Sequence, residues 1–97
     1  MELVIDGRNV LSEADLHHRL AGALGYGPFY RRDLDDLRDR LSAGDPRPVR
    51  LVWINAASLR MALGLTAYDT MVSTLERIAT DDADRPWRQR FVFHILD

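Results

Sequence analysis

The side chains best suited to chemistry in this sequence are carboxylates. The stretch Phe29-Tyr30-Arg31-Arg32-Asp33-Leu34-Asp35-Asp36-Leu37-Arg38-Asp39-Arg40-Leu41 interleaves aspartates and arginines with leucines at helical spacing. Asp35 and Asp39 stand four residues apart, one turn on a single helix face, with roughly 6 Å between their Cβ atoms. Paired carboxylates suit acid–base catalysis only when burial raises one pKa, and both groups here are expected to face solvent. Glycoside hydrolysis further needs the pair to straddle a cleft, and one helix face offers no opposite wall. Asp33, Asp35, Asp36 and Asp39 carry oxygens suited to a divalent cation, but Arg31, Arg32, Arg38 and Arg40 would repel it and compete for the same carboxylates. Two readings remain. One is a solvated face carrying helix ion pairs such as Asp36 with Arg40; the other is negative charge aimed at something outside the chain. Like charges at this spacing cost an isolated helix a few tenths of a kcal/mol, and Asp39, near the C-terminal end, also opposes the helix dipole. Local stability therefore gives no reason for the pair.

The element that must hold these groups is a short amphipathic helix. Asp33 is a good N-cap, and Leu34, Leu37 and Leu41 mark one buried stripe. The helix stops around Ser42-Ala43-Gly44, where Gly44 can take the left-handed conformation. Before it, Gly25-Tyr26-Gly27-Pro28 is a loop by composition. It delivers Phe29 and Tyr30, of which we expect Tyr30 to turn inward and Phe29 outward, since recognition surfaces favour aromatic anchors.

The rest of the chain is read in order. Leu3-Val4-Ile5, closed by the turn signal Asp6-Gly7, makes residues 1–6 a first strand. Ser12 caps a helix whose stripe is Ala14, Leu16, Leu20, Ala23 and Leu24, with Asp15 completing a capping-box-like start and Gly25 ending it. His17 and His18 on that helix point about 100° apart and do not share a metal; surface or half-buried positions are expected for them. Asp45-Pro46-Arg47-Pro48 reads as an extended connector, and Val49–Ile54 as a buried central strand with Trp53 in the core. Asn55 is expected to cap a third helix ending at Gly64, and Thr66 a fourth with Met71, Val72, Leu75 and Ile78 buried. Residues 81–87 read as a polar loop, and 90–96 as the last strand. The fold class is α/β: a small three-stranded parallel sheet with right-handed crossovers and about four helices.

Composition bounds the rest. Ninety-seven residues with 46% hydrophobic side chains fit one domain, 1–97, able to form a core without metal or disulfide support. Cysteine is absent, which excludes a thiol nucleophile. The formal net charge of -2 argues against general nucleic-acid attraction, and all 13 basic residues are arginine. The opening Met1–Asp6 lacks a basic segment and a long apolar run, so a cytoplasmic location without membrane partner is expected. No phosphate-binding glycine loop, nucleophile elbow or His-Glu-x-x-His occurs, so no enzyme activity and no cofactor are expected.

Tyr30 followed by Asp33-Leu34-Asp35-x-Leu37-x-Asp39-x-Leu41 resembles the acidic binding helix of the barstar family, intracellular inhibitors of barnase-type ribonucleases. Leu3-Val4-Ile5-Asp6-Gly7, Asp15-Leu16-His17 and Leu51-Val52-Trp53 also resemble that family in order and spacing. The resemblance implies a monomer that blocks a secreted or toxin ribonuclease one to one, as in immunity or antitoxin action. It implies a contact surface of Phe29, Tyr30, Arg31, Asp33, Asp35, Arg38, Asp39 and Ser42, with Glu76 from the fourth helix. Asp39 would enter the phosphate site, Asp35 would meet flanking basic groups, and Phe29 would pack over the active-site histidine. This chain departs from the family in having Phe29 for a common tyrosine, Arg31 and Asp33 for glycine and asparagine, and Arg38 for a frequent tryptophan. Arg31 and Arg38 suggest a target with carboxylates around its active site. Two other readings stand beside inhibition: a single-stranded RNA-binding module using Phe29, Tyr30, Arg31 and Arg32, and an interaction domain that kept the fold but lost inhibition.

Overall fold

A computed structural model describes residues 1–44 and 46–97. Asp45, expected in an extended connector, lies outside the described residues. The elements run β1 (Glu2–Asp6), a 3-10 turn (Gly7–Asn9), α1 (Glu13–Leu24), α2 (Leu34–Ser42), β2 (Val49–Ile54), α3 (Ala56–Leu63), α4 (Leu65–Asp82), a second 3-10 turn (Trp87–Gln89) and β3 (Phe91–Leu96). The sheet is parallel in the order β1-β2-β3, with Val4 opposite Val52 and Trp53 opposite Ile95. This is the expected α/β architecture. The central strand is nearly all apolar because both of its faces are covered: Leu51, Val52 and Trp53 are all buried. Trp53 lies edge-on to Phe93, with ring centroids 4.9 Å apart.

Helix starts follow the expected chemistry at two places and depart from it at two. Ser12 accepts from the Asp15 N–H and Asp33 from the Asp36 N–H, each filling a donor left open in the first turn. Asn55 stands at the head of α3 but does not cap it. Its backbone is left-handed (φ 54°), and its Nδ2 instead donates to Asp6 Oδ1 at 2.9 Å, tying β2 to β1. Thr66 is not a cap either: α4 begins at Leu65, directly after Gly64, which closes α3 with φ 85°. Two helices thus share one hinge residue, so no polar residue is needed between them. Gly7 is fixed by packing, since a Cβ there would lie 2.4 Å from Asn55 O and 2.7 Å from Leu59 N.

The expected loop over residues 81–87 is also corrected. Helix α4 continues through Asp82, and Trp87 opens a 3-10 turn. Asp82 is pulled inside because Oδ2 accepts from Arg47 Nε at 2.9 Å and from the Phe91 N–H at 2.8 Å. Both side chains of the Arg47–Asp82 pair are only 6% exposed. Arg47 also donates to the carbonyls of Leu41 and Pro46 and lies over the Phe91 ring. One guanidinium therefore ties the end of α2, the end of α4 and the start of β3.

Candidate functional site

The loop before α2 is held from beneath by buried polar contacts. Tyr30 points inward, as expected, and its hydroxyl lies 2.6 Å from His17 Nδ1. His17 is fully buried, which corrects the expectation of a surface or half-buried position. Burial pushes the His17 pKa down, against the pull of Glu13, and pushes the Tyr30 hydroxyl well above its usual range. We assign the hydroxyl as donor to a neutral imidazole, which leaves the ring proton on Nε2, 3.7 Å from Glu13 Oε1. Arg40 covers Tyr26 and Tyr30 with its guanidinium 5.3 and 5.5 Å from their ring centres, and its Nε donates to Asp36 Oδ2 at 3.2 Å.

Asp36 completes the clamp. Besides Arg40, its Oδ2 accepts from the Arg31 N–H at 2.8 Å, and that bond is the main reason its carboxyl is held below the ordinary range. Asp36 thus spends its charge on shaping the loop, through the expected ion pair with Arg40 and a further bond back to the chain. The spacing Asp33-x-x-Asp36 is that of a capping box, but Asp36 reaches past the cap to the Arg31 N–H, which the spacing alone does not signal. The His17–Tyr30 and Arg47–Asp82 contacts had no comparable signal: their members are 13 and 35 residues apart in sequence.

On top of this support sit the displayed groups. Phe29 is 87% exposed, and Arg32, next in the loop but two, has a left-handed backbone (φ 59°). The side chains of Asp35 and Asp39 are 77% and 63% exposed on successive turns, and neither folds inward. Arg38 stands between them, with Nη2 3.6 Å from Asp35 Oδ1 and Nε 3.8 Å from Asp39 Oδ1. These distances exceed those of a charge-assisted hydrogen bond, about 2.7–2.9 Å, so the pairs are loose and solvated. Arg31 likewise lies 3.9 Å from both Asp33 and Asp36. Ser42 ends α2 on the exposed side, and Glu76 is exposed on α4, a helix that packs against α2. Phe29, Asp33, Asp35, Arg38 and Asp39 thus share one loop and one helix, whereas Tyr30 lies beneath them. Among the described residues no cluster of three or more His, Asp or Glu could hold a metal ion, and no helix is long and apolar enough to cross a membrane.

Exposed aspartates on successive turns of α2 thus stand above a buried Tyr30–His17 contact. The family model described as Barstar (barnase inhibitor) matches residues 1–96. The chain belongs to the barstar family. That family is one of inhibitors, and it implies a ribonuclease as partner. No curated protein matches the chain. In this barstar-family member Asp35 and Asp39 are exposed with only loose contacts to Arg38, while Asp36 is bound into the loop.

Proposed function

We propose that this protein inhibits a small guanyl-preferring ribonuclease by plugging its active site with Asp35 and Asp39, one inhibitor to one enzyme, as protection of the producing cell in the cytoplasm. A ribonuclease cleft collects cations to hold a phosphodiester, and two carboxylates on successive turns substitute for that charge. The observation that carries the reading is the contrast among neighbouring aspartates. Asp36 is bound into the loop, whereas Asp35 and Asp39 point to solvent with only loose contacts to Arg38. Their mutual repulsion is relieved when a cationic cleft receives them, and complementary charge also speeds encounter.

Phe29 adds an exposed apolar ring at the rim, next in sequence to Tyr30, which is anchored to His17 below. Tyr30 acts here by positioning. Asp33 caps the helix, and Arg31, Ser42 and Glu76 border the contact. The fold forms one domain over 1–97 and is monomeric when free. The test is titration of a guanyl-preferring ribonuclease with the purified protein, beside a gel shift with RNA alone. Stoichiometric loss of cleavage without RNA retardation is expected; retardation of RNA with no inhibition would favour an RNA-binding module.

A further inference from the structure

A second feature lies beside the acidic face. Between α2 and α4 runs a cleft of about 220 Å³ lined by Arg38, Ser42, Ser73, Thr74, Arg77 and Asp81, with Ile78 at its base. Its polar lining comes from two helices packed against each other, so it is held by the fold. Arg77 has no ion pair or hydrogen bond among the described residues, and neither has the Asp81 carboxylate. Among the described residues Arg38 is engaged only by the loose contacts to Asp35 and Asp39.

From this geometry we infer that the cleft receives an acidic side chain of the ribonuclease, held between Arg77 and Arg38 with the Ser42 and Ser73 hydroxyls beside it. The inference rests on the inhibitory reading above and deepens it. Its logic is one of exchange. When the enzyme's cations take over Asp35 and Asp39, Arg38 loses both of its counter-charges and is left facing a positive surface, which costs binding energy unless a new anion reaches it. The cleft opens where Arg38 already stands, and it carries two arginines against the single acid Asp81. A guanidinium without a partner suits a carboxylate through forked, charge-assisted bonds. The resulting requirement, a carboxylate on the enzyme's rim at this edge, separates partners that share a cationic active site. Arg77 is therefore a specificity residue, placed one position beyond Glu76 on α4.

The test uses the full-length protein and barnase displayed with its active-site rim randomised and its catalytic residues kept. Clones that bind the immobilised protein are selected, then remeasured against Asp39→Ala, Arg77→Ala, Arg77→Lys and Arg77→Glu. Expected are rim carboxylates enriched among binders, about tenfold weaker binding with Arg77→Ala, a larger loss with Arg77→Glu, and partial recovery when the enriched carboxylate is exchanged for arginine against Arg77→Glu. Clones that lose binding with Asp39→Ala yet bind all three Arg77 variants equally would overturn the role of the cleft and leave inhibition standing. Absence of any binding clone, or clones indifferent to Asp39→Ala, would overturn both. Circular dichroism of each variant separates misfolding from lost contact.

Discussion

The hydroxyl of Tyr30 and Nδ1 of His17 meet at 2.6 Å in the core, directly beneath the loop that exposes Phe29. The contact joins α1 to the approach of α2, so α1 helps to position the backbone that carries Phe29. Removing the hydroxyl by Tyr30→Phe leaves a buried ring nitrogen unpaired, at a cost of about 1–3 kcal/mol. Chemical denaturation should show that loss, and hydrogen exchange should speed up over residues 26–32.

The same histidine makes stability depend on pH. Its folded pKa is lowered, chiefly by burial, so above the ordinary value of about 6.5 it is neutral in both states and costs nothing. Below that value the unfolded chain takes up the proton and the folded chain resists it. Stability should therefore fall as pH drops from about 6.5 towards the lowered folded pKa. Melting curves at pH 5 and pH 7 for the wild type and His17→Phe test this. The wild type should lose more on acidification, and equal losses would contradict the assignment.

Arg47 and Asp82 form a buried pair whose members serve each other and the backbone. Truncating Asp82 leaves Arg47 charged and without a carboxylate inside the protein, which typically costs about 3–5 kcal/mol. Asp82→Ala should therefore destabilise severely. An Arg47→Met, Asp82→Leu double variant should recover part of that loss, and a double-mutant cycle in urea measures the coupling.

Gly7 has no room for a methyl group, because the obstruction is backbone from Asn55 and Leu59 rather than a flexible side-chain end. Gly7→Ala should cost about 1–3 kcal/mol through forced displacement of α3. A melting temperature equal to that of the wild type would contradict the observed packing.

Much of this was legible in the residues themselves, and the failures share one cause. Apolar periodicity located the strands and the leucine stripe of α2, because burial of a face imposes a fixed spacing on sequence. Ser12 and Asp33 were legible as caps, since capping is a contact across three residues. Asn55, Thr66 and Asp82 were misread because their partners are set by tertiary structure: Asp6 across the sheet, an adjoining helix through Gly64, and Arg47 from the connector. At the site, the outward Phe29 and inward Tyr30 followed from local chemistry. The difference between Asp36 and its neighbours did not, because an acidic run looks uniform until the loop folds back over one member. The engagement of Arg38 by both displayed aspartates was likewise hidden, since sequence alone left it as a cation for a partner.

The central claim is that Asp35 and Asp39 carry the inhibition. Its most direct measurement is the inhibition constant of the wild type, Asp35→Ala, Asp39→Ala and the double variant against the ribonuclease it blocks, at low and high salt. Removing one member of a desolvated charge pair costs about 2–5 kcal/mol, a range set partly by barnase–barstar itself and so a family magnitude. Each single variant should weaken inhibition by about thirtyfold or more, the double variant further, with a shallower salt dependence throughout. A double variant that folds and still blocks the enzyme at full strength would contradict the account.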